Sequence, residues 1–248
     1  MDKIIKDFSN KFEKIKKLGW VESLETGYGS VGRTFENLLG CNENSLEIPD
    51  YNGIEIKTKL SKRNLYITLF SCKPESQFYK DTERIKNNFG YYDKQFKNCK
   101  ILNNCVFCNK TTVIGNKYIF KLKIDRINKK IFLHVYNLDG KLIDNYSYWD
   151  FDTIEEKLYR KLRIIAHVKA MSKKINNQQY FKYYKVDMYK IKDFKTFIDL
   201  IEEDIVRINF KVGVYRKGKK KGLTYDHGTG FDIKEIDLPK LYTKIKSL

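Results

Sequence analysis

A short run of charged residues, Pro49-Asp50 followed by Glu55-Ile56-Lys57, has the residue types and the spacing for hydrolysis of a phosphate ester. On a β-strand, side chains two positions apart point to the same side, roughly 6 to 7 Å from each other, so Glu55 and Lys57 would share one space. Asp50 would enter this space from the preceding turn. Two carboxylates, with the carbonyl of Ile56, can hold Mg²⁺, which prefers oxygen ligands and keeps several waters. One such water would be the nucleophile, and Lys57 would orient it, help to deprotonate it or contact the phosphate.

The same residues also have an ordinary structural interpretation. A Pro-Asp turn followed by an amphipathic strand with Glu-x-Lys on its exposed face is common, so the motif alone favours a solvated strand over a nuclease. The basic character of the chain shifts the balance, because a cationic protein with an acid cluster suits hydrolysis of a phosphodiester backbone. Glu36 is a candidate additional acid, either for a second ion or for orienting water.

The composition predicts a folded protein with a polyanionic partner. The chain has 248 residues, enough for one large domain or two joined lobes, and carries 49 Lys and Arg against 31 Asp and Glu, a net charge of +18. Its 42% hydrophobic and 15% aromatic residues exclude a disordered basic tail. Residues 1–70 hold 11 basic and 10 acidic side chains, so residues 71–248 carry the remaining +17. This asymmetry predicts a charge-balanced metal-binding region followed by a cationic surface for phosphates.

Neither a membrane span nor a secretion signal is predicted. No apolar run approaches the roughly 20 residues of a span, and the first residues alternate charged with apolar side chains, so a cytoplasmic protein without a membrane partner is expected. The five cysteines are an odd number, and Cys99, Cys105 and Cys108 contain a single C-x-x-C pair, which is a weak indication of zinc. Residues 72–117 show few periodic signals and are expected to form a long loop that is functional or mobile.

The spacing of apolar residues predicts the elements that would position the motif. An amphipathic helix is expected over residues 2–17, a short helix with Glu36 over 34–39, and the strand with Glu55 and Lys57 over 53–59. The remaining expected elements are strands over 65–70, 118–125, 130–136 and 164–168, a tyrosine-rich stretch over 180–190, and helices over 153–162 and 193–203.

The last predicted unit is a hairpin within residues 205–233. Its first strand has an apolar back, from Val206 to Val214, and a polar front. A basic tip follows, which is most often a solvated loop but suits phosphate contact in a cationic protein. The candidate nucleic-acid contacts on the front, the tip and the returning strand are Arg207, Asn209, Lys211, Tyr215, Arg216, Lys219, Lys220, Lys221, Tyr225, Asp226, His227 and Asp232.

Several blocks of this sequence resemble the MvaI/BcnI group of type II restriction endonucleases, and they occur in the same order over residues 19 to 235. They are the glycine-rich Gly27-Tyr28-Gly29-Ser30-Val31-Gly32 with Arg33-Thr34-Phe35-Glu36-Asn37-Leu38-Leu39, then Pro49-Asp50, Ile54-Glu55-Ile56-Lys57-Thr58, Tyr148-Trp149 before Phe151-Asp152, Gly218-Lys219-Lys220-Lys221-Gly222, and Asp226-His227-Gly228-Thr229.

The resemblance implies a fold related to the MutH nicking endonuclease. It would be an α/β (α+β) structure with a mixed sheet flanked by helices and two lobes around a DNA cleft. The expected division is a catalytic lobe at 1–120, which could include later strands, and a recognition lobe at 121–248 with the basic hairpin 205–233.

The resemblance also implies a mechanism. Glu36, Asp50, Glu55 and Lys57 would form the active site, with Mg²⁺ on Asp50 and Glu55. The enzyme would be a monomer that cuts one strand of double-stranded DNA at a time, leaves 5′-phosphate and 3′-hydroxyl ends, and rebinds to cut the other. The family's targets are five-base-pair sites of the CC-N-GG kind, and a DNA methyltransferase in the host would be its functional partner.

The sequence departs from the family pattern on the front of the hairpin. Where the pattern has an Asp, an Arg and a second Arg, this chain has Asn209, Lys211 and Asp232. In the major groove Lys favours guanine, Asn favours adenine and Asp accepts from cytosine, so these changes could alter the bases that are read, and a mixed site containing G·C pairs is expected.

Two alternatives stay open at the level of sequence. A MutH-like nickase of mismatch repair would use the same active-site residues. A non-catalytic DNA-binding protein would use only the basic region, with Asp50 and Glu55 as solvated strand residues.

Overall fold

The computed structural model describes residues 2–27, 29–41, 48–60 and 66–248. Tyr28 of the glycine-rich block and Leu65 of a predicted strand lie outside them. The helices are α1 Asp2–Lys17, α2 Ser30–Leu39, α3 Asp81–Phe89, α4 Phe151–Leu162, α5 Phe194–Glu202 and α6 Leu238–Leu241, with a 3-10 helix at Glu235–Asp237. Within these described ranges, every helix is too short or too polar to cross a membrane.

The strands are numbered in chain order. They are β1 Trp20–Glu22, β2 Glu55–Leu60, β3 Tyr66–Ser71, β4 Tyr91–Tyr92, β5 Lys100–Ile101, β6 Cys105–Val106, β7 Thr112–Ile114, β8 Tyr118–Asp125, β9 Lys130–Asn137, β10 Leu142–Asp144, β11 Tyr148–Asp150, β12 Ile164–Ile175, β13 Gln178–Ile191, β14 Val206–Val214, β15 Thr224–Lys234 and β16 Tyr242–Ser247.

The chain divides into two compact units, each assembled from separate stretches of sequence. Unit 1 comprises Met1–Leu65, Lys157–Lys192 and Leu238–Leu248, and unit 2 comprises Tyr66–Glu156 and Asp193–Asp237. Neither unit is one continuous stretch of the chain. The physical reason is strand pairing between distant segments, since β2 pairs with β12 in unit 1 and β3 pairs with β15 in unit 2.

Unit 1 is built on the expected mixed sheet with helices packed on it. The strand order is β1-β13-β12-β2, with β16 also on β13, and only the β2–β12 pair among these is parallel. Helices α1 and α2 bury apolar side chains against this sheet. The core includes Phe8, Phe12, Ile15, Val31, Phe35, Leu39, Ile54, Ile56, Ala166, Val168, Phe181, Tyr183 and Met188.

Helix α1 begins and ends where the sequence predicted, but α2 begins earlier, at Ser30. The glycines of segment 27–32 favour a loop, because glycine in a helix is unfavourable by about 1 kcal/mol relative to alanine. Val31 is buried in the core of unit 1, and the hydroxyl of Tyr183 donates to its carbonyl at 2.8 Å. Tertiary packing therefore overrides the local preference, and Glu36 is the seventh residue of a ten-residue helix.

Unit 2 contains an aromatic core between small antiparallel sheets. One sheet has the order β3-β15-β14-β6 and another the order β10-β9-β8-β7 with β11 on β9. Phe70 and Phe231 stack at 4.8 Å between ring centroids, and Phe197 of α5 packs on both. Trp149, fully buried beside them, donates its indole N–H to the Cys72 carbonyl at 2.9 Å.

The expectation of a long loop over residues 72–117 was wrong. The segment contains α3 and the short strands β4 to β7, whose two- or three-residue lengths are too short for a periodic signal. Arg84 of α3 explains part of its order, because the guanidinium pairs with the buried carboxylates of Asp81 and Asp144 at 2.7 and 2.5 Å. A polar residue thus organises a segment that the apolar pattern could not reveal.

The charge is also divided differently from the linear prediction. Unit 1 has 25 Lys and Arg against 11 Asp and Glu, a balance of +14, and unit 2 has 24 against 20, a balance of +4. The difference arises because 157–192, with 11 basic residues and one acid, folds with the Glu55 strand. The acids of the candidate active site therefore belong to the more cationic unit.

Candidate active site and nucleic-acid interface

A tight turn brings Asp50 to the start of β2. Asn52 and Gly53 have positive φ angles of 44° and 88°, as a two-residue hairpin turn requires, and Tyr51 and Ile54 exchange both backbone hydrogen bonds across it. The chain folds back so that Asp50 Oδ2 accepts from the Ile56 backbone N–H at 2.8 Å. The Asn-Gly pair is therefore the local reason that an acid before the strand lies beside it.

Glu55 and Lys57 share one side of β2, as predicted. Lys57 Nζ lies 2.8 Å from Glu55 Oε1. Ile54 and Ile56 point the other way, into the core under α1 and α2. However, the side of Glu55 is not the exposed face that the sequence suggested, because this residue is only 3% exposed.

The environment of Glu55 opposes its ionisation. Burial raises its pKa, the charge of Asp50 raises it further, and the ammonium groups of Lys57 and Lys161 act in the opposite direction. Lys161, from the end of α4, lies 3.5 Å from the same oxygen as Lys57, Oε1. The other oxygen, Oε2, is buried and has no hydrogen-bond partner among the described residues.

Glu36 and Asp50 both act on the thiol of Cys41. Burial and the charges of Asp50 and Glu36 raise the pKa of that thiol to about 11. Among the described residues, no three His, Cys, Asp or Glu side chains are grouped closely enough to hold a metal ion. The donors available here are therefore the two carboxylates of Asp50 and Glu55 and the carbonyl of Ile56.

The cysteines form no comparable site. All five are free thiols, and burial raises the pKa of Cys108 to about 12. Within the described part of the chain, Cys105 and Cys108 of the C-x-x-C pair have no third His, Cys, Asp or Glu close enough to form a metal site with them.

The predicted hairpin is formed by β14 and β15, with the predicted faces. Val206, Ile208 and Phe210 are fully buried on the apolar back, while Arg207, Asn209 and Lys211 lie half-buried on the front. Asp232 of β15 is in register with Arg207 and is only 3% exposed, so it lies beneath this front.

The tip of the hairpin combines exposed lysines with an anchored arginine. Lys219, Lys220 and Lys221 are exposed. Arg216 instead forms a bidentate pair with Asp93, at 2.7 and 2.5 Å, and this pair holds the pKa of Asp93 well below its usual range. Arg216 therefore holds the base of the tip against a neighbouring loop of unit 2.

An aromatic group lies beside the tip. The rings of Tyr225 and His227 stack at 4.2 Å, and Tyr215 meets Tyr225 edge-on at 5.0 Å. Tyr225 lies over Gly213, where a Cβ atom would be 2.5 Å from the tyrosine hydroxyl, so only glycine leaves room for the ring. Asp226 turns back to accept from the Gly228 N–H at 2.8 Å.

Comparison with known families identifies the chain. Residues 9–242 match the MvaI/BcnI restriction endonuclease family. The chain belongs to this family. As a member it is a type II site-specific deoxyribonuclease, which confirms the expected enzyme class, and membership indicates a requirement for a divalent metal.

Solved structures of one family member resemble this chain over its length. The complex of restriction endonuclease MvaI with its cognate DNA substrate is 30% identical, with a TM-score of 0.89, covering 99% of this chain and 98% of the other. MvaI in the absence of DNA is also 30% identical, with a TM-score of 0.60, covering 100% and 98%. These matches confirm the expected mixed α+β fold. No curated protein matches the chain.

Lys161 is the residue at this site that sequence reasoning missed. It lies in a helical segment with many other cations and far along the chain from Glu55, so no local pattern marks it. The only available signal was the scarcity of acids in 157–192, which indicates that some of its cations serve an anionic ligand or a carboxylate elsewhere.

The raised pKa of Glu55 predicts that its charge destabilises the metal-free fold. The native state binds this proton more tightly than the unfolded state, so stability falls as pH rises from the pKa of an unfolded glutamate through the raised native pKa. Glu55→Gln is therefore expected to raise the thermal unfolding midpoint in metal-free buffer at mildly alkaline pH. The exposed Glu22→Gln is the control and should leave it unchanged. A lower midpoint for Glu55→Gln would contradict this account of the site.

Proposed function

We propose that this restriction endonuclease hydrolyses both strands of double-stranded DNA at a short specific site in a Mg²⁺-dependent reaction that leaves 5′-phosphate ends. The observation that carries the proposal is the difference between the two carboxylate oxygens of Glu55. One of its oxygens is held by two ammonium groups, and the other is buried without a donor in the described residues. A buried anionic oxygen without a partner is unfavourable, and a hard divalent cation would satisfy it.

The residues present fit Mg²⁺. Asp50 and Glu55 supply carboxylate oxygens and Ile56 a carbonyl, which are the donors that this ion prefers. Within the described ranges, the hydrogen bond from the Ile56 N–H engages Oδ2 of Asp50 and leaves Oδ1 for a ligand. When bound, the ion would lower the pKa of a coordinated water and neutralise charge that develops on the phosphate.

Lys57 and Lys161 have different proposed roles. Lys57 donates one hydrogen bond to Glu55, and its remaining N–H groups can orient the attacking water or contact the scissile phosphate. Lys161 is less close to Glu55 and acts through it, by favouring the ionised carboxylate that a cation needs. Glu36 would orient water at the edge of the site.

The second unit would read the sequence. The front of β14, with Asn209 and Lys211, offers donors and acceptors for base edges, and the tip offers cations for phosphates. We propose a site that contains G·C pairs and a host methyltransferase that protects it, as in the restriction systems of this family. The chain would act as a monomer, cutting one strand at a time.

A plasmid assay tests the cleavage. Pure protein with Mg²⁺ should convert supercoiled plasmid first to open circle and then to linear DNA, and EDTA should prevent both steps. Asp50→Ala and Lys57→Ala should each reduce the rate by about 10²-fold or more, since each removes a group that acts in the transition state. The exposed Lys190→Ala is the control.

The outcome separates the alternatives. Open circle that persists would favour a MutH-like nickase over a restriction enzyme. Binding without cleavage, together with tighter binding after Asp50→Ala, would favour a non-catalytic DNA-binding protein and would contradict the proposal.

The role of Lys161 predicts a shift in pH dependence. Lys161→Met removes a charge that lowers the pKa of Glu55, so this pKa should rise further. The acidic limb of the kcat/KM profile should then move to higher pH, because only ionised Glu55 binds the cation. Lys190→Met should leave the limb in place. An identical limb in wild type and Lys161→Met would show that Lys161 does not act through Glu55.

The basic tip predicts a salt effect. Each phosphate contact contributes about −0.9 to the slope of log affinity against log salt. Changing Lys219, Lys220 and Lys221 together to Ala should flatten this slope by up to about 2.7. The matched control is the triple change of the exposed Lys3, Lys6 and Lys14 of α1, which removes the same charge elsewhere. Equal slopes for the tip variant and the wild type would show that the three lysines do not contact phosphates and that the tip is a solvated loop.

A further inference from the structure

Asp232 is a buried carboxylate under the polar front of the hairpin. It is 3% exposed and lies on β15, in register with Arg207 of β14 on one side and Thr68 of β3 on the other. The opposite face of these strands forms the apolar core of unit 2, with Ile208 and Phe231 fully buried. The carboxylate therefore lies between the core and the surface that is proposed to meet DNA.

The contacts of Asp232 engage both of its oxygens. Asn209 Nδ2 donates to Oδ2 at 2.9 Å, and the Thr68 hydroxyl donates to Oδ1 at 2.7 Å. Lys211 Nζ donates to the Thr68 hydroxyl at 2.9 Å and lies 3.5 Å from Oδ1. Arg207 lies 3.5 Å from Oδ2, with its guanidinium 3.3 Å from the centroid of the Tyr66 ring.

These contacts fix which atoms the front can offer. A carboxylate only accepts hydrogen bonds, so the amide of Asn209 must turn its NH₂ group toward Asp232 and leave Oδ1 as the outward acceptor. The ammonium of Lys211 lies over Gly230. A Cβ atom at position 230 would be 2.4 Å from Lys211 Nζ, so a side chain there would displace the ammonium. Asp232 itself is buried and engaged, which leaves no accessible oxygen for a cytosine amino group.

We propose that Asp232 is a positioning residue for sequence readout, which holds the side chains of Asn209 and Lys211, the residues already proposed to contact bases. This inference rests on the proposed function of the hairpin as a DNA-reading surface. Asn209 Oδ1 accepts from the exocyclic amino group of adenine or cytosine, and Lys211 donates to the O6 and N7 atoms of guanine. Asp232 holds both side chains in the geometry that makes this readout selective.

The charge balance supports recognition over a purely structural role. Asp232 is one carboxylate among three cations. Arg207 and Lys211 lie beside it, and Lys234 shares the Tyr66 ring with Arg207. The front of the hairpin around Asp232 therefore carries more positive than negative charge. The side chain at position 232 lies on the face opposite the core, so core packing does not require a carboxylate there. A carboxylate here instead orders an amide and an ammonium, which are the groups that read base edges.

The test is selection of bound duplexes from a randomised pool, with Ca²⁺ in place of Mg²⁺ so that no cleavage is needed. Asn209→Ala and Lys211→Ala should each reduce discrimination at one base pair, by about five- to 100-fold. Asp232→Asn should reduce discrimination at those same positions and at no other. The double variant Asp232→Asn/Asn209→Ala should be no less selective at the Asn209 position than Asn209→Ala alone.

A second variant guards against misfolding at position 232. Thr68→Val keeps the side-chain shape but removes the hydroxyl between Lys211 and Asp232, so discrimination should fall at the Lys211 position and be retained at the Asn209 position. If Asp232→Asn instead affects a base pair that neither Asn209→Ala nor Lys211→Ala touches, Asp232 reads that base itself and the inference is wrong. Unchanged profiles in both Asp232→Asn and Thr68→Val, or a wild type without base preference, would also overturn it.

Cleavage is scored separately in the plasmid assay. Failure of the nuclease proposal would therefore leave the selection result intact, and failure of the inference would leave the cleavage result intact.

Discussion

The ionisation of one buried glutamate is the constraint on which the candidate active site depends. Glu55 is removed from water, and its pKa is raised by that burial and by the neighbouring Asp50. Two ammonium groups partly offset the effect, but both approach the same oxygen. In the proposed site, a divalent cation at the other oxygen would offset the remaining cost of ionising Glu55.

The architecture of unit 1 serves this arrangement. Helices α1 and α2 cover one face of the sheet and bury Ile54 and Ile56, which fixes the side on which Glu55 and Lys57 emerge. The Asn52-Gly53 turn brings Asp50 back beside β2. Strand β12 pairs in parallel with β2 and follows α4 in the chain, so the end of α4 with Lys161 lies close to the start of β2. Unit 2 has a similar arrangement in β14, where the buried apolar side chains on one face determine that Asn209 and Lys211 lie on the other face.

Much of the site could be predicted because its signals are local. The period of two in β2 and β14 gives the faces of Glu55 and Asn209, and the Pro-Asp and Glu-x-Lys spacing places Asp50, Glu55 and Lys57 on one strand and its turn. The period of α1 gives a helix with correct ends. These features depend on neighbours within a few residues, which a single sequence contains.

What could not be predicted depends on pairing between distant segments. The contact of Lys161 with Glu55, the engagement of Asp232 by Thr68 and the pairing of Arg216 with Asp93 all join residues far apart in the chain. The division of charge between the units also depends on such pairing, because 157–192 folds into the unit that contains Asp50 and Glu55. The order of segment 72–117 comes from short strands and from Arg84, which apolar periodicity does not reveal.

The most direct test of the central claim is the position of a metal in crystals of the protein soaked with Mn²⁺, which accepts the same oxygen ligands as Mg²⁺ and scatters anomalously. The account predicts an anomalous peak at bonding distance from Asp50 and from Oε2 of Glu55 in the wild type, and no peak there in Glu55→Gln. A peak away from these two carboxylates, or the same peak in both proteins, would contradict it.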